Sequence, residues 1–254
     1  MVLNHALPQS YRDIFISCAS SQDLLNRILA GIVPFPFSGK CGLLLHGPNG
    51  TGKTTLANFL PVEIDLANAG SNSPWVRNVI IQHGSNGISE IKDIVNFCQT
   101  VPNGKYNYVV LDEVDQLSVW AMDALKGAML IQNSVFIMTT NQHNKISQGV
   151  KSRSHEIKMH APDISVWIKR IRDVLLHNGM VHPITDEELG KQIASYNGDA
   201  RAIMTHAAIL ASQKQIIKVQ TVPPPSLPPQ KATTGGWLFS ASNANSAAGG
   251  QSVV

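Results

Sequence analysis

Two groups of residues in this sequence have the types and spacing to hold a phosphate chain and break it. The first is Gly47-Pro48-Asn49-Gly50-Thr51-Gly52-Lys53-Thr54-Thr55, which follows the apolar run Leu43-Leu44-Leu45. Its glycines let successive backbone N–H groups curl round an anion without interference from a Cβ. A helix starting behind them adds partial positive charge. Lys53 can reach the β- and γ-phosphates, and the Thr54 hydroxyl can ligate Mg²⁺. The second group is Asp112-Glu113, at the end of Tyr108-Val109-Val110-Leu111. One carboxylate can hold Mg²⁺ through water, while its neighbour orients or deprotonates an attacking water. A glycine-rich turn beside a surface lysine is ordinary, and so are two acids at a strand end. Together they favour hydrolysis of a bound nucleotide over binding alone.

Three further sites are polar where a reaction centre needs polarity. Thr139-Thr140-Asn141 closes the apolar run Val135-Phe136-Ile137-Met138 and can position water between the carboxylates and the γ-phosphate. The bland alternative is a strand-to-loop turn, where Thr and Asn are also frequent. Arg153 lies in a polar loop before His155-Glu156-Ile157, and Arg201 follows Gly198-Asp199-Ala200. Charge shifting on a phosphate is well stabilised by guanidinium groups brought from outside the loop. Spacing alone leaves both arginines open between that role and ordinary solvated side chains.

The elements that must position these residues follow from periodicity. Short apolar runs predict strands at Cys41–Leu45, around Val79-Ile80-Ile81, at Tyr108–Leu111 and at Val135–Met138. Unbroken runs of this kind suit a parallel sheet covered on both faces. Between them lie helical patterns: one after the glycine loop that should end near Pro61, one from Ile88 to about Phe97, and one over roughly Val119–Leu130. Ser20-Ser21-Gln22-Asp23 reads as a capping box for an earlier helix carrying Leu24, Leu25, Ile28 and Leu29. Alternation of strand and helix makes residues 1–160 an α/β nucleotide-binding domain with a mainly parallel sheet, a P-loop NTPase core.

From Asp163 the pattern is helical only. Ile164, Trp167, Ile168, Ile171 and Leu175 share one face, with Gly179 as a stop. Thr185 with Glu188 caps a second helix, and Asp199 caps a third that turns Ile203, Met204, Ala207 and Leu210 inward. Residues 161–218 are therefore expected to form a small three-helix domain. Residues 219–254 are rich in Pro, Gly and Ser, with Pro223-Pro224-Pro225 and a lone apolar cluster at Trp237-Leu238-Phe239. They are expected to be a disordered tail.

Composition narrows the classes. The 254 residues are 43% hydrophobic and 15% charged, with a net charge of +3. That balance permits contact with nucleic acid without demanding it. Cys18, Cys41 and Cys98 are far apart and odd in number, which suits buried reduced thiols rather than a disulfide framework or a zinc site. The nine histidines show no ligand spacing and read as structural or surface residues. No apolar run reaches membrane-span length, so a soluble protein is expected, cytoplasmic or in the host cytoplasm if viral.

Over Leu44 through Ala211 the sequence resembles AAA+ ATPases of the sliding-clamp loader group, the replication factor C small-subunit type. The phosphate loop matches, and Leu111-Asp112-Glu113-Val114-Asp115 resembles the family's Asp-Glu-x-Asp box. Gly84-Ser85-Asn86-Gly87-Ile88 sits where the family has Asp-Arg-Gly-Ile. Thr140-Asn141 with Lys145-Ile146 is similar to its first sensor, and Gly198-Asp199-Ala200-Arg201 to its second, on a helical lid. Ser152-Arg153-Ser154 is similar to the Ser-Arg-Cys signature. The resemblance implies that Asp112 holds the metal, Glu113 activates water, and Asn141 and Arg201 sense ATP in their own chain. It implies that Arg153 acts on ATP held by the neighbouring subunit.

It also implies partners: other AAA+ subunits in a homo- or hetero-oligomer, a sliding clamp and primer–template DNA, with no membrane involved. The sequence departs from the family in places. Ser154 replaces the signature cysteine and Asn86 a usual arginine, while Lys126 keeps a basic residue that couples DNA to the active site in that family. The bacterial type's four-cysteine zinc insertion is absent, and Tyr11-Arg12 lacks the proline that follows in the family. No stretch reads as the helical collar that holds such rings together, so a compact loader-like machine is expected. A helicase loader, a recombination-type remodeller, or an ATP-dependent binding module without turnover are the alternatives.

Overall fold

The apolar runs become strands whose alternate residues feed two different cores. The structure, a computed structural model, describes residues 8–82, 84–177 and 184–212. Strands β1 (Gly42–His46), β2 (Val76–Ile80), β3 (Asn107–Asp112), β4 (Ser134–Thr140) and β5 (Ser154–Lys158) form one sheet in the order β2-β3-β4-β1-β5. Every pairing is parallel. Leu44, Val109, Leu111, Phe136 and Met138 point to one face, and Leu43, Leu45, Tyr108, Val110, Val135 and Ile137 to the other. The two-residue period of a strand makes this division, and burial on both faces explains the lack of polar alternation.

Helices cover both faces. On the first lie α3 (Ile88–Cys98) and α4 (Val119–Ala128), contributing Ile91, Ile94 and Leu125. On the second lie α1 (Ala19–Leu29) and α2 (Lys53–Ala67), contributing Leu25, Ile28, Leu56, Leu60 and Ile64. A short helix, α5 (Gln148–Ser152), leads into β5. Helices α6 (Ile164–His177), α7 (Asp186–Ala194) and α8 (Ala200–Ser212) follow and close a separate core around Ile171, Leu189, Ile193 and Ile203. Among the described residues no helix is long and apolar enough to cross a membrane.

Several elements differ from the sequence expectations. Helix α2 does not stop at Pro61 but runs on to Ala67 with the proline inside it. Interior proline costs about 3 kcal/mol of helix stability, and burial of Leu56, Ala57, Leu60 and Ile64 on the sheet offsets it. Helix α1 is capped at Cys18, without a side-chain bond, not by a Ser20–Asp23 box. The Ser21 hydroxyl is engaged elsewhere, accepting from the Lys158 backbone N–H at 2.9 Å and so pinning α1 to β5. Cys41 and Cys98 are buried free thiols as expected, whereas Cys18 is only half-buried. The expected stop at Gly179 and the tail at 219–254 lie outside the described residues.

Candidate functional site

The glycine loop joins β1 to α2 at the C-terminal edge of the sheet, where β1 lies between β4 and β5. In open parallel sheets this edge, at a change in strand order, is where a crevice forms. Gly47 has φ +150° and Gly50 φ +74°, backbone shapes that side chains rarely tolerate. A Cβ on Gly47 would strike the Met159 carbonyl, and one on Gly50 would strike Asp199. Pro48 and Asn49 form the exposed rim. Thr51 donates to the Pro48 carbonyl at 3.0 Å, which holds the loop's curvature.

Lys53 opens α2 and is almost fully buried. Its Nζ donates to the carbonyls of Gly47 at 2.9 Å and Pro48 at 2.6 Å, folding back over the loop. Burial lowers its pKa below the ordinary lysine value, while the carboxylates of Asp112, Asp115 and Glu113 pull the other way. The ammonium thus sits against the loop's own carbonyls, and three carboxylates favour its charge.

Thr54 and Asp112 come together across the crevice. The Thr54 hydroxyl donates to Asp112 Oδ1 at 2.9 Å and lies 3.1 Å from Oδ2. A second hydroxyl, Thr139 Oγ1, donates to Asp112 Oδ1 and accepts from the Glu113 backbone N–H. Sheet register causes this meeting: Leu111 pairs with Met138, so the next residues, Asp112 and Thr139, leave adjacent strands side by side. Glu113 follows in the left-handed conformation, φ +58° and ψ +46°, with an exposed side chain. Thr140 donates to buried Asp115 at 2.7 Å, fixing the end of β4 to the turn after Glu113. Asn141 is exposed, and its backbone N–H points to Asp115 at 3.3 Å.

The C-terminal helices reach the loop directly. The Ala200 N–H donates to the Gly50 carbonyl at 2.8 Å, and Asp199 accepts from the Arg201 N–H at 2.9 Å. Arg201 therefore stands at the N-terminus of α8, on the wall of a cavity of about 430 Å³. Arg12, Thr55, Trp167 and Arg170 share that wall with Thr51 and Gly52. Trp167 Nε1 faces no hydrogen-bond acceptor of the protein. The cavity begins at the loop and is mostly apolar in lining, which suits a flat ring attached to a phosphate chain.

Arg153 does not join this group. Ser154 pairs with Gly42 at the start of β1, whereas the glycine loop leaves from the end of that strand. Four residues at about 3.3 Å each put the two edges roughly 13 Å apart. The Arg153 guanidinium donates to the Gly149 carbonyl at 2.8 Å in its own short helix. Ser154 is buried and donates to Val150 at 2.8 Å, so serine in that position holds the turn.

The residues present fit a magnesium nucleotide. A hydroxyl and a carboxylate at hydrogen-bond distance are the hard oxygen donors that Mg²⁺ takes. The loop's glycines hold backbone shapes and close approaches to Met159 and Asp199 that a side chain would disrupt, which keeps the loop's curvature intact. Among the residues missed in the sequence, Trp167 was read only as part of an apolar helix face and Arg170 was not singled out. Thr139 was read only as part of a polar trio.

Comparison with known proteins bears on the family and the fold. The family of ATPases associated with various cellular activities, AAA, matches residues 43–161. A replication factor C small subunit 2 from Pyrobaculum islandicum is 31% identical over 187 residues, covering 71% of this chain and 56% of that protein. A replication factor C subunit 4 from Encephalitozoon cuniculi is 28% identical over 193 residues, covering 72% of this chain and 60% of its own length. The chain thus spans little more than half of these relatives. Among solved structures, a RuvB variant from Thermotoga maritima aligns with TM-score 0.58 at 19% identity, covering 79% of this chain and 64% of its own. A DNA polymerase III γ-subunit-related protein from the same organism aligns with TM-score 0.53 at 17% identity, over 75% and 58%. These structural likenesses concern the fold.

Proposed function

The chain belongs to the AAA family of ATPases, and from that premise we propose that it hydrolyses ATP at subunit interfaces to remodel a replication complex on DNA. Gly47 through Thr55 cradle the phosphates, with Lys53 against the β- and γ-groups. Thr54 and Asp112 hold Mg²⁺, which when bound neutralises charge on the phosphates. Glu113 takes a proton from the attacking water. Asn141 and Arg201 report the state of the nucleotide within the chain, the latter from a lid formed by residues 161–218. Arg153 completes the site of the adjacent subunit.

The observation that carries this reading is the Thr54–Asp112 contact. It joins the helix behind the phosphate loop to the strand end that bears Glu113, which supports assigning the metal donors and the water-activating group to one crevice. The similarity to replication factor C subunits supports the narrower reading, a sliding-clamp loader subunit working with other AAA+ subunits, a clamp and primer–template DNA. Its experiment has two parts. Glu113→Gln should bind ATP but release phosphate about 100-fold or more slowly; unchanged turnover removes Glu113 from the reaction. Wild-type phosphate release should rise when primed DNA and a clamp are added together, and stimulation by a replicative helicase alone would contradict the loader reading.

A further inference from the structure

Outside the nucleotide crevice, two imidazoles and a carboxylate converge on the other flank of β1. His46 is the last residue of that strand, His143 opens the short 3-10 helix His143–Lys145, and Glu156 lies within β5. In the β1–β5 register His46 pairs with Lys158 and Leu44 with Glu156. Glu156 is thus two residues from the partner of His46, and side chains two apart share a sheet face. His143 Nε2 lies 2.9 Å from Glu156 Oε2. The two imidazole rings stand 4.4 Å apart, tilted by 34°. One ligand atom from each of the three residues lies within 4.8 Å of the others.

We propose that His46, His143 and Glu156 form a binding site for a divalent transition-metal ion of the zinc class. Two nitrogens and one oxygen are a donor set for zinc, copper or nickel, not for Mg²⁺ or Ca²⁺, which take oxygens. Ligands of a tetrahedral zinc at about 2.0–2.1 Å from the ion stand about 3.3 Å from one another. Small rotations of half-exposed side chains bring these three to that spacing. Both histidines are half-buried and Glu156 is exposed, so an ion can enter from solvent and keep water on its remaining position. A neutral imidazole is the form that binds metal.

The position gives the ion a mechanical consequence. His46 directly precedes Gly47, and His143 lies two residues beyond Asn141. A bound ion would clamp the root of the phosphate loop to the segment after β4 and to β5. It is independent of whether the chain hydrolyses ATP.

The test uses the full chain, freed of metal by a chelator and kept in excess Mg²⁺ without nucleotide. Titration with Zn²⁺ should raise the thermal midpoint, and Co²⁺ should give a visible absorption band displaced by zinc. His143→Ala and Glu156→Gln should each weaken zinc binding by roughly tenfold or more, the scale expected when a metal's ligand environment is disturbed. Asp112→Asn should leave the cobalt band in place, separating this site from the Mg²⁺ donors. Both substitutions lie on half-exposed or exposed side chains, so they remain informative if His46→Ala fails to fold. Zinc affinity equal to wild type in both variants, or no cobalt band at all, overturns the proposal.

Discussion

Thr139 serves two groups with one hydroxyl, donating to Asp112 and accepting from the Glu113 N–H at 3.1 Å. Glu113 needs the support, because a left-handed conformation costs a side-chain-bearing residue about 1–2 kcal/mol. Strain of this kind clusters at functional sites, though turn residues such as Ala69 and Asn133 share the same backbone sign here. Thr139→Val keeps the shape and removes the hydroxyl, leaving the Glu113 N–H without its acceptor. It should lower stability by about 1–3 kcal/mol and slow phosphate release while nucleotide binding through Lys53 persists. Thermal unfolding, a binding titration and a phosphate-release assay on the same preparation separate the three effects. Unimpaired turnover would reduce Thr139 to a structural role.

At this scale the sequence was most legible where spacing alone dictates contact. Lys53 and Thr54 follow their glycines in a fixed order, and Asp112 ends an apolar strand, so their meeting needs only a parallel sheet. Thr139 was harder because Thr139 and Thr140 point to opposite faces, and only register with β3 decides which one meets Asp112. The pairing of His46 with His143 was illegible for the same reason. Their contact depends on where β4 and β5 flank β1, which no local spacing records.

At the scale of elements, local signals lost to tertiary contacts. Pro61 should have ended α2, but the helix carries on to Asp65, whose buried carboxylate gathers the far loops. Asp65 accepts from the Lys105 N–H and the Tyr108 hydroxyl, both at 2.9 Å, and from the Ser71 N–H at 2.5 Å. A helix that stopped at the proline would leave those donors unpaired. Ser21 likewise looked like a cap and is instead a bond to β5. Caps were read correctly where nothing competed, as at Thr185, whose hydroxyl accepts from the Glu188 N–H at 3.2 Å.

The lid helices supply a pH-dependent element. His206 on α8 meets Gln192 Oε1 of α7 at 2.9 Å and the Tyr196 hydroxyl at 3.2 Å. The amide oxygen only accepts, so Nε2 carries the proton and Nδ1 takes the hydroxyl's hydrogen. Burial lowers the pKa of His206 below its ordinary 6.5. The folded chain therefore binds fewer protons here than the unfolded chain. The resulting stability is complete above about pH 6.5 and is lost as pH falls below it. His206→Gln removes the titration and keeps a polar side chain. In thermal unfolding from pH 7.5 down to 5, the advantage of wild type over this variant should shrink on acidification. A constant difference would show that the ring's charge state does not matter to the lid.

For the whole molecule, the governing fact is that the sheet separates Arg153 from the glycine loop of the same chain. Alternating strands and helices in the sequence announced a parallel sheet, and parallel pairing puts a residue just before β5 and a loop just after β1 at opposite edges. On the function proposed above, an arginine at that distance reaches a phosphate only across a subunit boundary, in a head-to-tail contact. Subunits carrying Arg153→Ala keep a complete phosphate loop and lack the donated guanidinium. Those carrying Lys53→Ala have the reverse defect. Each variant alone should be nearly inactive in phosphate release. Mixed in equal amounts and assembled at random, about a quarter of boundaries would pair an intact loop with an intact arginine. The mixture should therefore regain about a quarter of wild-type turnover. If Arg153 served its own chain, every subunit in the mixture would carry a fatal lesion and no activity would return. Co-assembly of the two variants, checked by pull-down of one through a tag on the other, makes the absence of recovery decisive.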